Sequence, residues 1–274
     1  MRFGLDVPVN GPYADPRLLA EMAAEAEAAG WDGFFLQDTL NGDLPAADPW
    51  ISLAAVALAT HRMRIGILVN ALPRRRPWQV ARQAATVDHL SGGRVVVGAG
   101  LGYSEVDFTP FGEEWDLRTR AAMLDEALDV LAGVWSGEPF SYAGRHYRLD
   151  GVTLGPAPVQ TPRIPVWPAA GWPNRRPLAR AARWDGVYLM TVHQKTGELL
   201  RPADIAEVVA AVAAQRAGQA FEVAFNAVRS ADTAEQVGEF AAAGGTWWVE
   251  LASDEAEGGL AAYRDRIRQG PPAV

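Results

Sequence analysis

Two acidic side chains in this sequence stand beside strongly apolar runs. Asp38 follows the apolar residues Phe34–Leu36 after a single glutamine, and Asp6 lies midway along the apolar run near the N-terminus. A carboxylate in such a setting costs desolvation energy unless it is paired or hydrogen-bonded. Asp38 is therefore a candidate for catalysis or ligand binding, and a cap or loop anchor is the alternative. Asp6 is expected to face the interior of the fold.

His193 is the histidine with the best position for proton transfer. It lies three residues beyond the apolar run Trp184–Met190, whereas His61 and His89 stand at predicted helix ends, where the helix dipole favours a cation. Imidazole changes charge near neutral pH, which suits general acid–base catalysis. The histidine spacings match no metal motif, and the absence of cysteine excludes disulfides, thiolate metal sites and a cysteine nucleophile.

Two glycine-containing stretches indicate ligand contact through the backbone. Gly98, Gly100 and Gly102 resemble part of a dinucleotide-binding motif, but Tyr103 occupies the position of its last glycine. Residues without a Cβ let a flat ligand approach the main chain, and a tight turn of small residues is the alternative. The stretch 170–172 precedes a predicted helix, so its amides and the positive helix end form a candidate phosphate site.

The charge distribution limits the partners. The chain has 33 acidic and 25 basic residues, a net charge of -8, which argues against general nucleic-acid binding. The basic cluster Arg74–Arg76 is either a solvated loop or an anion site. No stretch approaches the ~18 apolar residues of a membrane span, and the N-terminus is typical of a strand rather than a signal peptide. We therefore expect a cytoplasmic protein without nucleic-acid or membrane partners.

Eight apolar runs, each followed by a helix-patterned stretch, must position these residues. Alternating strands and helices predict a parallel sheet. Eight units in 274 residues predict a single (β/α)8 TIM-barrel domain, residues 1–274, whose usual size is about 250 residues and whose active site lies at the C-terminal strand ends. The runs are Arg2–Val9, Gly33–Thr39, Met63–Leu72, Arg94–Gly100, Ile164–Ala169, Trp184–Met190, Glu222–Val228 and Thr246–Leu251.

Two insertions interrupt the alternation, one after the fourth helix (136–163) and one after the sixth strand (192–202). The first predicts a small hairpin of Phe140–Tyr142 and His146–Leu149. Long connections in a compact domain are frequently functional. The predicted helices are Pro16–Ala29, Trp50–His61, Trp78–Leu90, Asp116–Trp135, Pro177–Arg183, Ala203–Ala217, Thr233–Ala243 and Gly259–Gln269.

In order and spacing, four long segments resemble the bacterial luciferase-like flavin oxidoreductase family, and the resemblance covers nearly the whole chain. It implies a barrel that binds FMN or the deazaflavin F420 at the strand ends, and that transfers a hydride or activates oxygen on a small organic substrate. The segments are AAEAEAAGWDGFFLQDTL, DPWISLAAVALATHRMRIGILVNALPRRRPWQVARQAATVDHLSGGRVVVGAGLGY, RAAMLDEALDVLAGVWSGEPFSYAGRHYRL and PRIPVWPAAGWPNRRPLARAARWDGVYL.

The resemblance also implies where the cofactor lies. In similar proteins the third strand has a bulge behind the flavin ring, often with a non-prolyl cis peptide. The implied ring contacts are Leu68, Val69 and Asn70. The implied phosphate contacts are the turn residues Ala170, Gly171 and Trp172, and Gly100, Gly102 and Tyr103 follow the ribityl or phosphate path.

One departure from the family leaves the mechanism open. A histidine commonly follows the aspartate matched by Asp38, but this chain has Thr39, and threonine cannot act as a base near neutral pH. Either Asp38 or His193 takes that role, or the reaction needs no base, or the barrel binds flavin without turnover. A phosphate-substrate isomerase or aldolase is a further alternative. The single lysine, Lys195, falls in a loop and argues against Schiff-base chemistry.

The same resemblance limits the choice of cofactor and suggests an oligomeric state. F420 has extra negative charge on its tail, which the arginines 74–76 could accept, so we favour F420 slightly over FMN. The resemblance also suggests a homodimer formed through the second and third helices, although apolar positions there serve the barrel equally well.

Overall fold

A closed barrel of parallel strands forms the core of the computed structural model, which describes residues 1–40, 42–192, 199–216, 218–230, 232–252 and 258–272. The strands are β1 (Arg2–Val7), β2 (Gly33–Leu36), β3 (Arg64–Ala71), β4 (Val95–Gly100), β5 (Phe140–Ala143), β6 (Arg148–Val152), β7 (Val166–Trp172), β8 (Gly186–Thr191), β9 (Glu222–Ala227) and β10 (Trp247–Leu251). The barrel order is β1-β10-β9-β8-β7-β4-β3-β2, and β5 and β6 form a separate hairpin. The predicted (β/α)8 barrel and hairpin are therefore confirmed.

Helices cover the outside of the barrel, and four of those described begin at a proline. A proline in the first turn costs no hydrogen bond because the first N–H groups of a helix have no partner within it. Asp15, Asp48 and Asp116 also cap three of these helices with their side chains. The helices are α1 (Pro16–Ala28), α2 (Pro49–Ala59), α3 (Pro77–Ser91), α4 (Leu117–Val134), α5 (Arg175–Ala181), α6 (Pro202–Ala213), α7 (Thr233–Ala242) and α8 (Gly259–Arg268).

The difference from the predicted bounds that affects the site lies around β7, although β2 also ends three residues and α6 four residues earlier than predicted. The predicted fifth strand ends at Ala169, but β7 continues to Trp172, and α5 begins two residues before the predicted Pro177. β7 extends to Trp172 because it pairs with β8 over its last four residues, 169–172 with 188–191. Within the described ranges, we find no helix that is long and apolar enough to cross a membrane.

Large aromatic side chains pack against one another inside the barrel. Phe35, Trp167 and Trp247 lie with their ring centroids 5.5–5.9 Å apart, and all three are buried. Gly33 makes room for them, since an ideal Cβ on it would lie 2.7 Å from the ring of Phe35 and 2.8 Å from that of Trp247. The interior is thus a packed core at this level of the barrel.

Two buried charged residues join the helices to the N-terminal side of the barrel. The carboxylate of Glu27, on α1, accepts the backbone N–H groups of His61, Arg62 and Met63 at 2.6–3.0 Å. The guanidinium of Arg94 donates to carbonyl groups around the end of α2, including those of Ala57 and residue 60, both at 2.8 Å. These charged groups satisfy backbone atoms that the α2–β3 connection leaves unpaired.

We expect Glu27→Ala to lower the free energy of unfolding by about 2–4 kcal/mol, because three backbone N–H groups, that of Met63 buried, lose a charged acceptor. Urea denaturation followed by circular dichroism measures the change. The control is Glu21→Ala on the same helix, which removes an exposed ion pair with Arg264 and should cost less than about 1 kcal/mol. Equal losses in the two variants would contradict the role of Glu27.

Candidate functional site

The residues predicted to bind a ligand stand at the ends of neighbouring strands. In the sheet, β2, β3, β4, β7 and β8 are consecutive, and the C-terminal ends of parallel strands meet at one rim. We call this part of the rim the barrel mouth. Asp38, Asn70, Gly100 and Gly171 lie at or directly after these strand ends, so the fold brings the predicted strand-end positions together.

A bulge in β3 occupies the predicted position. Ile67 pairs with Val97 and the next pair is Asn70 with Ala99, so β3 has one residue more than β4 in this interval. The peptide between residues 68 and 69 is cis. Leu68 packs into the interior cluster that contains Phe35, Trp167 and Trp247, and Val69 packs against the same cluster. The bulge therefore turns two successive apolar side chains, Leu68 and Val69, toward the interior of the barrel.

The glycines of β4 make room for the β3 bulge. An ideal Cβ on Gly98 would lie 2.4 Å from the carbonyl oxygen of Ile67 and 2.6 Å from a methyl carbon of Leu68. One on Gly100 would lie 2.4 Å from a methyl carbon of Val69. The glycines thus leave the expected space beside β4, but the side chains of Leu68 and Val69 fill it. A flat ligand would meet Leu68 and Val69 rather than the bare backbone of β4.

Asn70 joins the bulge to β4 through its side chain. Its Nδ2 donates to the carbonyl oxygen of Gly98 at 2.9 Å, and the residue is completely buried. Its Oδ1 has no hydrogen-bond partner among the described residues. An unsatisfied buried acceptor next to the barrel mouth is a candidate contact for a donor group of a ligand.

The loop after β4 is held by an arginine that the sequence pattern did not identify. Gly102 has a φ of +88°, and an ideal Cβ on it would lie 2.4 Å from the ring of Phe108. Arg120 of α4 donates to the carbonyl oxygens of Leu101 and Gly102 at 2.9 and 3.1 Å. Tyr103 is 68% exposed at the rim. The glycine and the arginine fix the loop that carries Tyr103.

Asp38 is the centre of a buried ion pair at the barrel mouth. Its side chain is 1% exposed. Oδ1 lies 2.7 Å from Nη2 of Arg75 and 2.8 Å from Nη2 of Arg74, and Oδ2 accepts the N–H group of Ala71 at 3.0 Å and Nε of Arg75 at 3.1 Å. The carboxylate thereby ties the end of β2 to the end of β3 and to the segment before α3.

The ion pair keeps Asp38 charged. Burial alone would raise the pKa of its carboxyl, but the hydrogen bonds and charge of Arg75, the charge of Arg74 and the N–H group of Ala71 outweigh that effect and lower the pKa. Since both oxygens are occupied, the carboxylate is a poor proton acceptor near neutral pH. Arg74 and Arg75 are not the solvated loop considered above, whereas Arg76 is exposed.

The stretch 170–172 is not a turn, as predicted, but the end of β7. Gly171 pairs with Met190, which packs against the interior cluster. Ala170 and Trp172 belong instead to the core layer between barrel and helices, and Nε1 of Trp172 donates to Asp204 at 3.1 Å. Of the three residues, Gly171 is thus the one on the interior side of the strand.

His193 and Lys195 lie outside the described residues. Among the described residues, no three His, Cys, Asp or Glu side chains are grouped so that they could hold a metal ion. In the described part of the site, two buried aspartates are the candidates for proton exchange: Asp38 at the barrel mouth and, deeper in the interior, Asp6.

Comparison with known proteins identifies the family. Residues 1–270 match the family described as luciferase-like monooxygenase. The chain belongs to this family. The resemblance found in the sequence is thus confirmed.

One curated relative in the luciferase-like family is the F420-dependent glucose-6-phosphate dehydrogenase of Nakamurella multipartita. It is 33% identical over 187 residues, which cover 65% of this chain and 53% of the relative. The corresponding enzyme of Beutenbergia cavernae is 35% identical over 173 residues, 60% of this chain and 50% of the relative. The chain therefore matches only about half the length of these proteins.

A solved structure confirms the fold of the luciferase-like chain. The coenzyme F420-dependent tetrahydromethanopterin reductase from Methanopyrus kandleri superposes with a TM-score of 0.77 and 17% identity, covering 98% of this chain and 96% of that one. At this level of identity the likeness concerns the barrel alone.

Asp6 of β1 is a buried acid inside the barrel of this family member. It is 3% exposed, its Oδ2 accepts the hydroxyl of Tyr188 at 3.0 Å, and its Oδ1 has no hydrogen bond from the described residues. Burial raises the pKa of Asp6 to about 7, although hydrogen bonds from Tyr188 and Gln37 lower it. The apolar run around Asp6 indicated this acid in the sequence. Its contact with Tyr188, which is distant in sequence, is apparent only from the fold.

We expect the stability of the protein to depend on pH through Asp6. The folded-state pKa is raised, so its contribution to stability is present below about pH 4 and is lost as the pH rises through about 7. Asp6→Asn lacks this titration. Between pH 4 and 7 the wild type should lose up to about 4 kcal/mol relative to the variant, at about 1.4 kcal/mol per pH unit.

Urea denaturation at a series of pH values measures this difference. Tyr188→Phe removes a hydrogen bond that lowers the pKa of Asp6, so in that variant the loss should extend to higher pH. Parallel stability curves for the wild type and Asp6→Asn would show that Asp6 does not titrate in this range.

Proposed function

We propose that this chain is an F420-dependent oxidoreductase that transfers a hydride between the cofactor and a small organic substrate at the barrel mouth. The observation that carries the proposal is the β3 bulge, which places Leu68 and Val69 side by side at the predicted ring position. The F420-dependent relatives of this family support the choice of F420. FMN is the alternative cofactor, since an FMN-bound monooxygenase from Pseudomonas putida shares the fold at a TM-score of 0.69, 16% identity and 85% coverage of this chain.

The residues at the barrel mouth fit a flat, partly apolar ring. Leu68 and Val69 form an apolar wall, and Gly98 and Gly100 leave the bulge unobstructed. The buried Oδ1 of Asn70 is without a partner among the described residues and can accept a hydrogen bond from a ring N–H group. We propose that the ring lies against this wall, with Asn70 at its edge.

The phosphate of the cofactor is proposed to lie at the end of β7. Gly171 is on the interior side of that strand, and a residue without a side chain admits an anion to the backbone amides. Ala170 and Trp172 contribute through their backbone, because their side chains are buried in the outer core layer. Gly102 and Tyr103 are proposed to line the path between ring and phosphate.

The bound ring supplies the hydride chemistry, and the protein residues orient it and manage protons. Asp38 is proposed to act as a positioning residue, since its ion pair leaves it charged and occupied on both oxygens. Asp6 has a pKa of about 7 and faces the interior, which suits proton exchange near neutral pH. His193 remains a second proposed acid–base residue.

We expect the purified protein to bind F420 more tightly than FMN, and Gly171→Trp to weaken binding at least tenfold. An indole at this position fills the proposed phosphate site. The fold should tolerate it, because an ideal Cβ there lies 2.8 Å from Val192, a side chain that is 45% exposed and free to move aside. Absorbance and fluorescence titrations measure the affinity.

Gly238→Trp is the matched control, since Gly238 is exposed on α7 and has no atom within 4 Å of its ideal Cβ. This variant should bind the cofactor as the wild type does. Unchanged affinity in Gly171→Trp would refute the phosphate site. Failure of the wild type to bind either cofactor would refute the proposed function.

We further propose that the protein forms a homodimer through α2. Ile51 and Leu58 are both 67% exposed, and their spacing of seven residues places them on one face of the helix. Large exposed aliphatic side chains in a row are typical of protein interfaces. A twofold axis would pack this face of one protomer against the same face of its partner.

The double variant Ile51→Asp/Leu58→Asp should convert the dimer into a monomer, because it places charges in the buried interface. Size-exclusion chromatography with light scattering measures the mass. Leu117→Asp is the control, since Leu117 is 60% exposed at the start of α4. A wild-type protein that is already monomeric, or a double variant that stays dimeric, would contradict this interface.

A further inference from the structure

A cavity of about 270 Å³ lies outside the barrel, between the start of α3, α4 and the β5–β6 hairpin. Its polar lining residues are Arg74, Arg75, Arg76, Gln79, Gln83, Glu113 and Tyr147. Among the described residues, its lining includes none of the strand-end glycines or bulge residues of the barrel mouth. The cavity is therefore separate from the proposed cofactor site, although Arg74 and Arg75 stand in the wall between the two.

The lining of this cavity is positively charged. Three guanidinium groups face one lining carboxylate, that of Glu113, which is exposed at the rim. Asp38 offsets part of the charge of Arg74 and Arg75 from behind, and Oδ2 of Asp107 lies 4.0 Å from Nη1 of Arg74. Arg76 has no carboxylate within 4 Å among the described residues, and it lies over the ring of Trp78 at 5.9 Å. The uncompensated charge favours an anion.

Two buried donors in the lining have unused hydrogen-bonding capacity. Tyr147 is 4% exposed, and its hydroxyl has no hydrogen-bond partner among the described residues. Burial raises the pKa of Tyr147 to about 12, so the hydroxyl keeps its proton and can donate. The side chain of Arg74 is 3% exposed, and its Nε and Nη1 also lack hydrogen bonds there. An anion in the cavity would accept from both residues.

The hairpin holds Tyr147 in place over the cavity. The carboxylate of Glu126, on α4, accepts the N–H groups of Arg145, His146 and Tyr147 at 2.8–3.0 Å. Gly144 permits this approach, since an ideal Cβ on it would lie 2.3 Å from the Glu126 carboxylate. The Tyr147 ring meets Trp78 edge to face, with centroids 6.4 Å apart. The hydroxyl is thus oriented before any ligand arrives.

The dimensions and the local field of the cavity match a small anion. Typical pockets for whole small molecules have volumes of about 300–1,000 Å³, so 270 Å³ accommodates a phosphate-sized group with a short attachment. The 15-residue helix α3 begins here without a side-chain cap, and its positive end adds to the charge of the arginines.

We propose that this cavity is a separate anion site that binds the phosphate group of a small phosphorylated molecule. Arg76 and the buried Arg74 supply the charge, and the Tyr147 hydroxyl donates a hydrogen bond that fixes the orientation. The insertion after α4 then has a binding role, because it brings Tyr147 to the arginine cluster.

Isothermal titration with inorganic phosphate, at constant ionic strength set by chloride, tests the site in the full chain. We expect millimolar or tighter binding in the wild type and at least tenfold weaker binding in Tyr147→Phe and in Arg76→Ala. Tyr142→Phe is the matched control: Tyr142 lies on the same hairpin but does not line the cavity, so its affinity for phosphate should stay within twofold of the wild type.

The same titration on protein saturated with F420 or FMN tests whether the site is separate. Phosphate affinity should be unchanged by the cofactor, whereas competition between the two would overturn the separate site. Absence of phosphate binding in the wild type, or wild-type affinity in both lining variants, would overturn the proposal as a whole. Because the first titration needs no cofactor, its result is independent of the proposed oxidoreductase function.

Discussion

The buried ion pair of Asp38 with Arg74 and Arg75 holds together the segments from which both proposed sites are built. One carboxylate ties the end of β2 to the backbone of β3 and to the residues before α3. Removing one partner of a buried pair leaves an uncompensated charge and typically costs about 3–5 kcal/mol. The two arginines contact Asp38 at the barrel mouth and also line the outer cavity, and Arg74 has N–H groups without hydrogen bonds to the described residues. The two sites therefore share a wall whose charge balance depends on Asp38.

The β3 bulge is the second constraint, and it explains the composition of β4. A strand buried on both faces normally carries large apolar side chains. Here β4 contains Gly98 and Gly100, because Leu68 and Val69 occupy the space that a Cβ would need. The loss of side chains from one strand thus permits two apolar side chains from its neighbour to form a wall at the barrel mouth. The glycines support ligand binding indirectly, through the shape of the bulge.

Local patterns were sufficient to predict the barrel but not all of its site. The apolar runs carry the signal for eight strands, and the resemblance places the bulge at Leu68-Val69, where the structure has it. The stretch 170–172 was wrongly predicted as a turn, because small residues and prolines are typical of turns and the pairing of β7 with β8 is a long-range property. Tyr188 was missed for the same reason, since its partner Asp6 lies far away in sequence. Tyr147 was missed because no local pattern marks an unpaired hydroxyl.

Two aspartates of the same barrel have opposite pKa shifts, and the difference follows from their neighbours. Asp38 lies between guanidinium groups that outweigh burial, so its pKa is lowered. Asp6 has a hydroxyl and an amide as neighbours, burial prevails, and its pKa rises to about 7. Environments that separate the pKa values of two like groups also separate their roles. In a barrel with threonine at position 39, where the family commonly has histidine, this contrast favours Asp6 as the proton-exchanging group. It leaves Asp38 to hold the barrel mouth in shape.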